Sequence, residues 1–181
     1  MGVTQYISLI PLPVCLLPNE RKVLTVDENR YQDLIDSLLL NEEAFGIPCN
    51  NISNTHNIGS LVTLEKVSSI LGTNEISIQV QCTQLFKLTK FFYRHSAGRW
   101  PGGEIQEFNW SFQDLIFTKG PLAGKSPFEI ADRINLSAED KLTLLKTNNL
   151  KKAVAFLESR NKYFDFILDQ ELAVRDNIYL N

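Results

Sequence analysis

Beyond Gly59 the apolar residues of this 181-residue chain change their period once, and that change limits the folds open to it. Between Gly59 and Trp110 they tend to recur at every second position, the spacing of strands buried on one face. Glu75 to Cys82 alternates through Ile76, Ile78 and Val80. Leu85 to Tyr93 is aromatic-rich, and Glu104 to Trp110 alternates again. Beyond Ser126 the spacing becomes three and four. Leu150, Ala153, Val154, Leu157, Phe164, Ile167, Leu168 and Leu172 follow one helical face over about seven turns of 3.6 residues. The order to expect is sheet first, helices after.

The first half adds short strands and one helix. Tyr6 to Ile10 fits a strand that Pro11-Leu12-Pro13 would end or bend, since proline lacks the N–H a ladder needs. Lys22 to Val26 fits a second. From Asn29 to Leu40, Tyr31, Leu34, Ile35, Leu38 and Leu39 recur at helical spacing behind Asp27, a natural N-cap. Phe45 to Cys49 reads as the next strand and Asn50 to Asn57 as a polar loop. Gly59 to Val67 is apolar, with a turn at Leu71-Gly72-Thr73-Asn74. Short strands at this spacing, interrupted by one helix, predict an α+β chain built on a small, partly closed β-barrel. The C-terminal helical segment opens with Ser126-Pro127-Phe128-Glu129, a capping box with proline at the first helical position. Ser137 gives a second start signal. The expected division is a barrel over residues 1–120 and helices over 121–181, packed on the barrel or extending from it.

Charge and cysteine usage narrow the function. A net charge of −3 does not favour steering of polyanions. Cys15, Cys49 and Cys82 are far apart, with no CxxC and no Cys/His cluster, so neither a disulfide framework nor a metal site is foreshadowed. Tyr6 to Leu17 is apolar enough to imitate a secretory leader. No Lys or Arg precedes it, however, and three prolines interrupt it, so it reads as a buried strand and turn. The expected location is the cytoplasm, with no membrane span.

Several segments, in order, resemble one known family. Ile10-Pro11-Leu12-Pro13, Leu17-Pro18-Asn19-Glu20, Asn29-Arg30-Tyr31 and Phe45-Gly46-Ile47 are similar to the opening of the Lon protease N-terminal substrate-binding domain. Ile58-Gly59-Ser60-Leu61 and Leu85-Phe86-Lys87-Leu88 resemble two of that domain's strand motifs, and Ser137 to Leu145 resembles the helix after its barrel. The likeness spans most of residues 6 to 157. It departs where Asn19 replaces a turn glycine, Asp27-Glu28-Asn29 replaces Phe-Glu-Pro, and Gln81-Cys82 replaces a glycine region. The resemblance implies a PUA-like barrel, and a role in binding unfolded or apolar protein segments, as an adaptor or regulator beside a separate protease machine. It implies no enzyme activity and no cofactor in this chain.

The motifs closest to catalysis do not complete. Gly120-Pro121-Leu122-Ala123-Gly124-Lys125-Ser126 imitates a phosphate-binding loop but has three residues between its glycines, where four are needed. His56 and His95 lie in polar loop sequence, outside any nucleophile elbow or HExxH helix. Glu42-Glu43 and Glu139-Asp140 sit at helix ends, where carboxylates solvate or complement the dipole.

Candidate binding residues come from the aromatic third of the chain. Trp100 stands in Ala97-Gly98-Arg99-Trp100-Pro101-Gly102-Gly103, loop sequence rather than strand, and Trp and Arg are favoured at interface centres. Tyr93, Arg99 and Trp100 are therefore the candidate peptide-binding residues, with Trp100 folded back as a lid on the barrel as the structural alternative. Lys87, Lys90, Arg94 and Arg99 among Phe91, Phe92 and Tyr93 form a basic-aromatic mixture that gives RNA binding as the second hypothesis. Phe166 lies off the apolar stripe of the last helix, which points to covering on two sides or to a homodimer through that helix.

Overall fold

The computed structural model describes residues 4–49, 54, 57–94, 100–118, 120 and 122–179, with side chains as far as 172. The elements run β1 (Gln5–Ser8), β2 (Arg21–Asp27), α1 (Glu28–Asn41), β3 (Phe45–Pro48), β4 (Ile58–Ser69), β5 (Glu75–Phe92), β6 (Gly102–Glu107), α2 (Pro127–Arg133), α3 (Ala138–Lys146) and α4 (Leu150–Tyr179). They form two compact units, Met1–Asn109 and Trp110–Asn181.

The first unit is one six-stranded antiparallel sheet organised on β5. One edge of β5 pairs with β4 from Ser69↔Ile76 to Ile58↔Lys87. Its other edge is shared end to end. β2 takes Glu75 to Gln81, and β6 takes Phe86 to Phe92. Between them, Cys82 N donates to Glu20 O (2.9 Å) and Phe108 N to Leu85 O (3.0 Å), so pairing continues across the gap. β1 extends the sheet beyond β6, and β3 beyond β4.

Two expectations are corrected here. The segments 75–82 and 85–93, predicted as separate strands, are a single 18-residue strand. Leu61 pairs with Gln84 and Val62 with Cys82, so Thr83 is the extra residue of a bulge, and its hydroxyl donates to Leu61 O (3.2 Å). The slip in alternation there imitates a strand end. The barrel, moreover, is not closed by a ladder. The segment after β1 meets β3 only at the isolated parallel bridges Leu9↔Gly46 and Leu12↔Cys49, with Ile10 N donating to Gly46 O (2.9 Å). Pro11 and Pro48 fall inside this seam and have no N–H to offer, so a continuous ladder cannot form.

The main core fills one side of the sheet. Tyr31, Leu34, Ile35 and Leu38 of α1 meet Leu24, Val26, Ile76, Ile78, Val80 and Phe45, all buried. Asp27 caps α1 as its position predicts, its carboxylate accepting from Arg30 N (3.0 Å). Burial raises the Tyr31 phenol above its ordinary pKa, with Arg30 opposing and Asp27 adding to the rise. A smaller cluster joins Ile7, Leu9, Phe86 and Ile105. Asn19, standing where the family resemblance has glycine, adopts φ 71°. The turn thus still needs a left-handed residue, and asparagine is among the few side chains that tolerate it.

The second unit is helical. Ser126 forms the predicted capping box: its hydroxyl accepts from Glu129 N (3.2 Å), and the Glu129 carboxylate accepts from Ser126 N (2.6 Å). The hydroxyl of Ser137 caps α3 by accepting from Asp140 N (3.1 Å). Trp110, expected to end a strand, belongs to this unit. Its ring stacks on Phe128 (5.5 Å between centroids) and its indole N–H donates to Thr147 O (3.0 Å). Arg133 of α2 donates to Asn161 of α4, and Asp140 of α3 pairs with Arg160 (2.6 Å). Among the described residues no helix is long and apolar enough to cross a membrane.

Candidate binding groove

A second bulge builds the most distinctive surface of the first unit. In β5, Leu88 pairs with Ile105 and Lys90 with Glu104, so Thr89 is the extra residue. Its hydroxyl donates to Glu104 O (2.9 Å). Strict alternation would put Leu88 on the opposite face from Phe91 and Tyr93. The extra residue puts all three on one side.

Together with Pro11, Pro48, Cys49, Asn54 and Asn57 they line an open groove of about 450 Å³. The floor is held from below. Asn54 donates through its amide nitrogen to Cys49 O (2.9 Å) and Ile58 O (2.7 Å), while its amide oxygen accepts from Ile58 N (2.9 Å). Asn57 takes a left-handed conformation (φ 53°) and its carbonyl accepts from Leu88 N (2.8 Å). The rim is aromatic. Phe91 and Tyr93 meet edge to face at 5.2 Å, with Tyr93 85% exposed.

Among the described residues the lining has no ionised side chain and no pairing of nucleophile with base. Carboxyl groups held below their ordinary values lie elsewhere and have structural causes. Glu65 is lowered chiefly by the hydrogen bond from Arg21 (2.8 Å), and Glu129 chiefly by the backbone N–H of Ser126. Among the described residues no group of three or more His, Cys, Asp or Glu side chains is placed to hold a metal. A second recess of about 550 Å³ has Leu61, Leu85, Phe86 and Ile105 as its apolar lining, with polar residues including Gln84 and Glu107 around them. It carries no exposed aromatic side chain.

The three residues singled out from the sequence separate. Tyr93 lines the groove. Trp100 is half-buried against the main core, and its indole N–H donates to Ser8 Oγ (3.1 Å). Arg99 lies outside the described residues, as do His56 and His95. Sequence reasoning missed Pro11, Pro48, Leu88 and Asn54 as groove residues. Only the Pro11 and Pro48 positions carried a signal, as breaks in otherwise apolar strands.

Fold comparison places this arrangement. The chain is a mixed α+β protein whose antiparallel sheet, with α1 inserted between β2 and β3, precedes α2, α3 and α4. More particularly, it has the fold of Lon N-terminal domains. It is similar to the Lon N-terminal domain protein from Xanthomonas campestris, with a TM-score of 0.65 and 20% identity over 83% of this chain and 98% of that one. It is similar also to the N-terminal domain of the Mycobacterium avium complex Lon protease, with a TM-score of 0.62 and 12% identity over 87% and 98% of the two chains. No protein-family model matches the sequence, and no curated protein matches it.

Proposed function

We propose that this chain is a non-catalytic module that captures apolar, aromatic-rich segments of unfolded proteins in the groove beside Phe91 and Tyr93. The observation that carries the proposal is the exposed Phe91–Tyr93 pair above an uncharged floor fixed by Asn54. Aromatic rings offer large contact area at a small entropic cost, and an apolar groove gains most from a ligand that sheds water with it. The Lon-like fold and the motif resemblance support the same reading, with the chain serving as an adaptor or regulator of a separate protease machine in the cytoplasm. A PUA-like frame, stitched at Leu9↔Gly46 and Leu12↔Cys49, holds the two sides of the groove together. Trp100 acts in this reading as a support behind the β5–β6 connection, and Arg99 is kept as a binding residue on its sequence pattern alone.

RNA is disfavoured as the ligand because the groove lining presents no cation to a phosphate among the described residues. The direct test is a photo-crosslinking residue in place of Tyr93. It is expected to capture a reduced, alkylated, permanently unfolded protein and to ignore the same protein in its native state. Equal capture of both forms, or of neither, rejects the groove.

A further inference from the structure

The C-terminal end of α1 gathers features that work against folding. α2 and α3 end on Arg133 and Lys146, cations that suit the negative end of a helix dipole. α1 has no basic residue in its last turn and is followed instead by Glu42 and Glu43. Glu42 is left-handed (φ 54°), a conformation for which glycine or asparagine is the usual choice at a helix end. Just before it, Leu39 and Leu40 are 50% and 84% exposed. A recess of about 440 Å³ opens at this point, lined by Leu38, Leu39, Glu42, Glu43, Thr63 and Leu64. Its apolar side is held in place, since Leu38 is buried and Leu64 packs against the main core. β4 bulges beside it: Leu64 pairs with Val80 and Lys66 with Gln79, so Glu65 is the extra residue. Glu65 is engaged by Arg21 (2.8 Å). Neither Glu42 nor Glu43 makes an ion pair among the described residues.

Local departures from stability that meet at one recess are the mark of a surface kept for binding. From the charge and apolar character of this one we infer that the end of α1 docks a partner's polypeptide segment in which lysine or arginine is set among apolar residues. The aliphatic stem of such a side chain lies on Leu39 and Leu64, while its cation donates to the two carboxylates and to the open carbonyls of the helix end. Apolar neighbours in the segment cover Leu40. The charge complementarity excludes the other occupants. An acidic segment is repelled by both carboxylates and by the dipole, and a wholly apolar one would strip water from the carboxylates without replacing it. The recess shares no lining residue with the groove beside Phe91 and Tyr93, so the two surfaces stand or fall separately.

Fluorescence anisotropy tests it, with a labelled synthetic peptide of leucines, lysines and arginines and the full chain titrated to about 1 mM so that weak docking is read. Salt at roughly 150 mM screens distant charges. The native chain should bind the peptide, and Glu42→Lys/Glu43→Lys should weaken binding at least about tenfold. An acidic counterpart, with glutamate for every cation, should be ignored by the native chain and bound by that variant. Damage to the fold cannot produce such capture. Asp33→Lys/Asp36→Lys makes the same change of net charge at exposed positions of α1 outside the recess lining and should leave binding unchanged. Glu42→Gly should raise the urea midpoint, because glycine suits the left-handed conformation, and yet weaken the peptide. A native chain that ignores the peptide overturns the inference. So does binding indifferent to Glu42 and Glu43, a lysine variant that ignores the acidic peptide, or equal loss on reversing Asp33 and Asp36. Loss in Phe91→Asp would put the peptide in the groove, and a less stable Glu42→Gly chain would give Glu42 a structural role; either result overturns it too.

Discussion

Gly59 lies beneath the ring of Phe86: a Cβ at Gly59 would stand 2.3 Å from Phe86 Cζ and 2.9 Å from Ile47 O. The two residues are cross-strand partners in β4 and β5, so the aromatic ring covers the bare backbone opposite it. Gly59→Ala should therefore destabilise the chain by about 1–3 kcal/mol, as overpacking does. Urea denaturation measures this. Shrinking the ring in Gly59→Ala/Phe86→Leu should recover part of the loss, and additive losses would contradict the contact.

The cap of α2 gives a pH-dependent prediction. The Ser126 N–H holds the Glu129 carboxyl below the ordinary glutamate value of 4.5. A lowered folded pKa means that the carboxylate stabilises the fold above the unfolded value. That contribution is lost as pH falls through the folded value. The stability gap between the chain and Glu129→Ala should be widest near neutrality and should narrow below about pH 4.5. A gap that grows on acidification would contradict the capping box.

Trp110→Phe should keep the stack on Phe128 but lose the hydrogen bond to Thr147 O. The expected cost is about 1 kcal/mol, the net worth of one hydrogen bond. The variant also leaves Trp100 as the sole tryptophan. Its emission should respond to ligand at the β5–β6 end of the sheet without a signal from the helical unit.

Helix starts were legible because each is written in a few adjacent residues. Asp27, Ser126 with Glu129, and Ser137 all cap where their chemistry predicts. Strand limits were less so, because Thr83 and Thr89 make bulges that no local residue type announces. β1 stops at Ser8, two residues short of the expected strand, because Leu9 and Ile10 turn to meet β3. Tyr93 could be singled out from its aromatic surroundings. Its partners in the groove could not, since Pro11, Pro48 and Leu88 come together only through the sheet and a bulge.

Capture in an uncharged groove should be nearly indifferent to salt. Affinity for an unfolded protein should change less than about threefold between roughly 50 and 200 mM salt, whereas a ligand held through several phosphates would lose about a thousandfold. A steep loss would return RNA to the leading reading.

The groove itself is tested most directly by titrating a fluorescent, uncharged, aromatic-rich peptide against the chain and against Phe91→Asp. The substitution puts a charge on the rim without touching the residues that fix the floor. It should weaken binding by at least about tenfold, the loss of about 1.4 kcal/mol that a central contact supplies. Unchanged affinity in a folded Phe91→Asp chain would contradict capture at Phe91 and Tyr93.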